Sequence, residues 1–206
     1  MSTIKTTNIT HGSNSGTANL VLASDGGITY AKKPALGRQI LEQFFTPCDG
    51  SVIATSAGNV TVEDTDAVQH LTTSFVDATG STISYTPPAG TTQVIYEFYA
   101  QVSRGDGHAI SHWKFFIDSD EVTDNRCTIS STNMEDRVPF KWGINIGGSA
   151  VTATGRLASW TSAKTLKLQA RDYHSNHEAR IHSTEYWDGD GTDQFVRPCI
   201  GITAIG

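Results

Sequence analysis

Residues 93–102, QVIYEFYAQV, put Val94, Tyr96, Phe98, Ala100 and Val102 on one side of an extended chain and Ile95, Glu97, Tyr99 and Gln101 on the other. A period of two gives one face to a core and leaves the second half polar, which is the pattern of a β-strand and not of a helix. The pattern recurs. HWKFFID sets Trp113, Phe115 and Ile117 against His112, Lys114, Phe116 and Asp118. NVTVED, TISYT, VPFKWGINI, TLKLQARDY, EARIHS and FVRPCIGITAI read the same way. RQILEQFF is short for a helix and is stopped by Pro47, so it is read as a strand. No amphipathic helix of three turns is evident. About eight to ten strands, with turn signals roughly every 8–15 residues, predict an all-β sandwich or barrel.

The N-terminal part reads differently. Residues 1–19 have almost no core-forming side chains and cannot offset the entropy of ordering by themselves. In ANLVLASDGGITYA, Leu20 and Leu22 alternate, Asp25-Gly26-Gly27 supplies a turn, and Ile28 and Tyr30 alternate again, a short hairpin signal. AKKPALG at 31–37 reads as a linker. The expected organisation is therefore an extended arm over 1–36 and one domain over 37–206.

Composition limits the partners. Charged residues are 17% of the 206, below the ~25% of ordinary soluble domains, and the net charge is −6. Residues 1–47 carry Lys5, Lys32, Lys33 and Arg38 against Asp25 and Glu42, a net of +2, so the remainder carries −8. An acidic domain is a poor match for nucleic acid, whose phosphates call for a basic surface. Residues 2–19 are polar and offer no apolar core of a signal peptide, and no stretch approaches the ~18 apolar residues of a membrane span. Cys48, Cys127 and Cys199 are widely spaced, with no CxxC or CxxH, and are read as reduced thiols rather than a disulfide framework or a zinc site.

LTTSFVDATGSTISYTPPAGTTQVIYEFYAQV, then HWKFFIDSDEV, TLKLQARDYHSNHEARIH and the terminal IGITAIG resemble C1q/TNF-like jelly-roll heads, in particular those of phage and marine-virus structural proteins. The resemblance spans about residues 38–206 and rests on the order of strands and turns. GTANLVLASDGGIT also looks like the leading segments of phage fibres. The resemblance implies a C1q/TNF-like jelly-roll sandwich, a homotrimer, and a virion location reached from a host cytoplasm. It places Tyr96, Phe98 and Tyr99, with Ile200 and Ile202 of the last strand, near a trimer core.

Site chemistry is sparse. WDGDGTD sets Asp188, Asp190 and Asp193 in a Gly-rich loop, the oxygen-rich composition that Ca²⁺ takes, though no Glu closes the loop as in an EF-hand. His174, His177 and His182 are close in sequence, but a strand would put His177 on the face opposite the other two, and a turn explains HSNH more simply. Arg104-Gly105-Asp106 is an adhesion tripeptide that also reads as a plain Gly turn. GxSxG, HExxH and P-loop motifs are lacking, and no enzyme is expected. Trp160, Tyr186 and Trp187 are the candidate contacts for a sugar ring, and host-surface polysaccharide is the expected ligand class. The expected role is a trimeric fibre or fibre-like appendage of a tailed phage, held by its arm to other virion proteins and used in attachment. A capsid decoration protein and a C1q-like glycan-binding module are the alternatives.

Overall fold

The computed structural model describes residues 8–9, 20–22, 28–30, 38–105, 108–131, 135–185, 187–189 and 191–206. The chain divides into two compact units, Met1–Gln39 and Ile40–Gly206. In the first, β1 (Asn8–Ile9), β2 (Leu20–Leu22) and β3 (Ile28–Tyr30) form a small antiparallel sheet in that order. Leu20 lies opposite Tyr30 and Leu22 opposite Ile28. Linker residues 31–37 lie outside the described residues.

Among its described residues, the second unit has strands and one 3₁₀ turn, at Thr152–Thr154. Its strands are β4 (Ile40–Pro47), β5 (Val52–Thr55), β6 (Gly58–Thr61), β7 (Gln69–His70), β8 (Val76–Asp77), β9 (Ile83–Tyr85) and β10 (Gln93–Arg104). They continue as β11 (Ala109–Ile117), β12 (Asp120–Ser131), β13 (Glu135–Asn145), β14 (Lys164–Asp172), β15 (Ala179–Ile181), β16 (Ser183–Thr184), β17 (Gln194–Phe195) and β18 (Cys199–Ile205). ILEQFF of the segment RQILEQFF is thus strand.

Two antiparallel sheets carry the fold. One runs β4-β18-β10-β13, with β15 and β7 continuing from the far end of β10. The other runs β12-β11-β14, with β8 and β9 both pairing to β14. If the eight principal strands are counted along the chain, the first sheet holds the first, eighth, third and sixth. The second holds the fifth, fourth, seventh and second. Except for the fourth and fifth, which pair with each other, consecutive strands therefore cross between sheets in the interleaved Greek-key order of a jelly roll. The strand order itself establishes the fold class.

The alternation in the sequence is the burial pattern. Val94, Tyr96, Phe98, Ala100 and Val102 of β10 point inward and meet Trp113, Phe115 and Ile117 of β11 and Leu166, Leu168 and Ala170 of β14. Tyr96 and Phe115 pack with ring centroids 5.0 Å apart. Polar tips of buried rings find partners, as burial requires: Tyr96 Oη donates to the Ser81 carbonyl at 2.6 Å and Trp113 Nε1 to Ser111 Oγ at 2.8 Å.

Gly80 shows how closely the loops are packed. Ser81 N–H donates to the Ala78 carbonyl, closing a turn in which Gly80 holds φ +80. That is the left-handed third position of a type II turn, which favours glycine. A Cβ here would lie 2.7 Å from Thr65 Oγ1, 3.0 Å from Pro198 Cγ and 3.2 Å from Cys48 Cβ. Backbone strain and overpacking together make Gly80→Ala destabilising by about 2 kcal/mol. The check is urea unfolding: the midpoint falls at unchanged m-value. A midpoint within error of wild type refutes this account of the turn. All three cysteines are free, and burial pushes the Cys48 thiol up to about 12, so it packs as an inert group.

Candidate functional site

The outer faces of the two sheets differ in character. On the β12-β11-β14 sheet, Glu121 bridges Lys114 and Arg126, and Lys167 pairs with Asp77. Among the described residues, the outer face of the β4-β18-β10-β13 sheet carries the ion pair of Glu97 with Lys141 and, further along β13, the exposed Arg137. Around the pair lie Ile40 (60% exposed), Phe45 (55%) and Tyr99 (38%), with Ile95 and Ile205 half-buried.

Gly201 builds this patch. In register, Phe45 faces Gly201 and Gly201 faces Glu97. Because Gly201 has no side chain, the Phe45 ring lies across β18; a Cβ on Gly201 would stand 2.6 Å from Phe45 Cδ2. The ring then meets Tyr99 edge-on, centroids 5.5 Å apart. An exposed pair of aromatics on the outer face of a sheet has the character of an interaction surface.

Beside this patch runs a groove of about 590 Å³ lined by Gln101, Asp136, Arg137, Thr184, Trp187 and Val196. Gln101, Arg137 and Val196 also border Tyr99, so groove and patch are continuous. Trp187 is 82% exposed, the most open large apolar side chain among the described residues. An open indole beside amide, guanidinium and hydroxyl groups can stack on a sugar ring and hydrogen-bond its hydroxyls.

Other sequence candidates fall elsewhere. Trp160 is only 5% exposed; its Nε1 donates to the Tyr85 carbonyl at 3.2 Å and its ring meets Tyr85 edge-on. It closes the core and cannot touch a glycan. Tyr186 and Asp190 lie outside the described residues, as does Asp106 of the adhesion tripeptide. Of the acidic loop, Asp188 accepts from Gln194 Nε2 at 3.0 Å. Asp193 gives one carboxylate oxygen to Arg180 and the other to Ser183 Oγ. Among the described residues, no group of three His, Cys, Asp or Glu is arranged to hold a metal ion.

The expected trimer-core residues separate. Tyr96, Phe98, Ile200 and Ile202 have no exposed surface in the single protomer. They fill the space between its own sheets, so a second copy cannot reach them. Only Tyr99 reaches the outer face. The aromatic surplus in β10 serves the protomer's interior, because Tyr96 and Phe98 share the inward phase of the strand.

The histidines are also divided. His177 N–H donates to the His174 carbonyl in a turn, and the His177 ring stacks on His108 at 5.9 Å. His182 stands apart: buried, edge-on to Phe98, with Nε2 2.9 Å from the Thr79 carbonyl. Burial lowers its pKa to about 4 despite that hydrogen bond. Phe45, Ile40 and Arg137 were not singled out from sequence. The adjacent pair Phe44-Phe45 was the available signal, since neighbours in a strand must face opposite ways.

No protein-family model matches the sequence, and no curated protein matches it. Among solved structures, the chain is similar to the infectious bursal disease virus Gx strain at 10% identity and TM-score 0.26, over 75% of this chain and 40% of that one. It is similar to the VP2 subviral particle of infectious bursal disease virus at 11% identity and TM-score 0.24, over 76% and 46%. An exo-beta-1,3-galactanase from Phanerochaete chrysosporium with galactose is similar at 11% identity and TM-score 0.21, over 87% and 31%. The chain spans less than half the length of each of these structures. Likeness this distant assigns no function.

Proposed function

We propose that this chain is a virion structural protein: a homotrimeric jelly-roll head, held to a virus particle by its N-terminal segment and contributing to attachment at a host surface. The observation that carries the reading is the outer face of the β4-β18-β10-β13 sheet. Ile40, Phe45 and Tyr99 are exposed there together, whereas the opposite outer face is crossed by the ion pairs of Glu121 and Lys167. A second copy of the chain is the occupant that fits, because closed oligomers bury such faces on identical partners. The resemblance of residues 38–206 to trimeric jelly-roll heads supplies the number three and the viral setting. Three heads on one axis would present three Trp187 grooves at once, so weak contacts with a surface polysaccharide gain through avidity.

Light scattering on the full chain tests the assembly. The expected mass is three times the 22.2 kDa chain. Phe45→Glu places an uncompensated charge in the interface and is expected to give a folded monomer, with circular dichroism unchanged. A monomeric wild type overturns the trimer, and a trimeric Phe45→Glu moves the interface to another face. Particle association tests the role: chain lacking residues 1–36 is expected to stay folded and to fail to join virions. Incorporation of that truncated chain refutes the anchoring role.

A further inference from the structure

We propose that the charged outer face of the β12-β11-β14 sheet holds a binding cleft for the carboxylate of an acidic saccharide. The cleft encloses about 200 Å³ and is bordered by Phe75, His112, Lys114, Arg126, Thr128 and Arg171. Three lysine and arginine cations meet one carboxylate, that of Glu121, in a chain whose net charge is −6. The neighbouring Asp77 does not offset them, because it is held by Lys167 Nζ at 2.9 Å and Gln169 Nε2 at 2.8 Å.

The register assembles the cleft. Thr128, His112 and Arg171 lie directly opposite one another across β12, β11 and β14. Thr128 Oγ1 and His112 Nδ1 are 3.0 Å apart. Phe75 enters from the loop before β8 and forms an apolar wall, with Lys114 Nζ 4.3 Å and the Arg171 guanidinium carbon 5.1 Å from its ring centroid. A ring bracketed by two cations excludes water and strengthens any charge pairing beside it.

Arg171 points to the ligand. Its Nη1 makes a long 3.4 Å contact with the Thr73 carbonyl, and its buried Nε has no hydrogen-bond partner. Lys114 and Arg126, by contrast, both reach Glu121. With Nη1 held only by that long contact, the guanidinium lining the cleft can turn its terminal N–H groups to an incoming oxyanion. The planar guanidinium, fixed by Phe75 and Thr73, matches a carboxylate better than a point charge does. The cleft is smaller than the ~300–1,000 Å³ of drug-sized sites, so it takes one acidic residue of a chain and leaves the remainder in solvent. The saccharide part of this proposal rests on the host-surface reading given above.

Isothermal titration of the full chain with trigalacturonate, at low and at moderate salt, is the test. Binding is expected, weakening as salt rises. The fully methyl-esterified trisaccharide is expected not to bind. Arg171→Gln should weaken binding by about tenfold or more, and Arg171→Lys by less, since it keeps charge but loses the fork. Lys164→Gln, which alters a charge paired with Asp118 at the far end of β14 from Arg171, should change affinity less than about twofold. Circular dichroism and solution mass confirm that each variant is folded. Absence of binding overturns the proposal, as does equal binding of the ester or unchanged binding by folded Arg171→Gln. Inorganic sulfate bound as tightly as the trisaccharide overturns the saccharide assignment. Failure here leaves the oligomer mass and particle association untouched, so the cleft and the virion role are judged separately.

Discussion

Deleting residues 200–206 is expected to leave no folded, soluble protein. The segment is β18 without its first residue, and β18 is an interior strand. It makes seven register pairs with β10 on one side and seven with β4 on the other. Its removal strips both neighbours of their ladders and cuts β4 out of the sheet. Ile200, Ile202 and Ala204 also leave the centre of the core. Two buried isoleucines are worth about 1.5–3 kcal/mol each, before any orphaned backbone group is counted. Against a total stability of about 5–15 kcal/mol, the loss is not survivable. Removing residues 1–36 is the control: it takes away a separate unit and should leave the head folded. Near-ultraviolet circular dichroism and gel filtration read both deletions. A soluble deletion of 200–206 with native tertiary signal refutes the central placement of this strand.

The same strand shows what the sequence made legible. CIGITAI is apolar in both phases, which predicts burial on two faces, and Gly201 and Thr203 are indeed buried on the outer side. What covers them was not legible. Phe45 lies over Gly201, and Gln43 Nε2 donates to Thr203 Oγ1 across 160 residues of chain. Alternation identifies a face but not the strand that shares it. For the same reason Tyr96 and Phe98 were placed toward a trimer axis when they fill their own protomer. Each strand has one inward phase, and nothing local says whether inward means toward the second sheet or toward a second copy.

Trp160 and Trp187 make the point for the site. Both are flanked by polar residues in loop-like sequence, and they differ only in the fold. The Tyr85 carbonyl captures one indole and no core element reaches the other. The Phe75 cleft was less visible still. Phe75, Lys114, Arg126 and Arg171 come from four separate stretches and meet because β12, β11 and β14 are adjacent. A jelly roll interleaves distant strands, so its surface sites are written in the topology and not in any motif.

Acidification should destabilise the head through His182 before the surface carboxylates respond. Nε2 faces the Thr79 carbonyl, which can only accept, so Nε2 carries the proton of the neutral ring. Nδ1 is buried without a partner, and a second proton would place an unsatisfied N–H in the core. Burial accordingly lowers the pKa to about 4 from 6.5. Above 6.5 the ring is neutral in both folded and unfolded chains and contributes no pH dependence. Between 6.5 and about 4 the unfolded chain takes up the proton and the native one does not, so stability falls with pH. Below about 4 the loss is complete, and the gap corresponds to about 3 kcal/mol. Asp77, Asp118, Glu121 and Glu178, whose pKa values are lowered through hydrogen bonds from Lys167, Lys164, Arg126 and His70 against the cost of burial, begin to add their losses only as the unfolded chain takes up their protons, near the ordinary values of 3.8 and 4.5, and complete them as the native groups protonate at lower pH. The window from 6.5 to about 5 thus isolates this histidine from them. His182 holds φ 64, so His182→Asn is the fitting comparison: Asn tolerates that backbone and does not titrate. Urea unfolding at fixed protein concentration should show the wild type losing stability across that window. The variant, weaker at pH 7.5 for want of the Phe98 contact, should stay flat. Parallel slopes in the two proteins would mean that His182 is protonated in the native core or that another group governs the acid response.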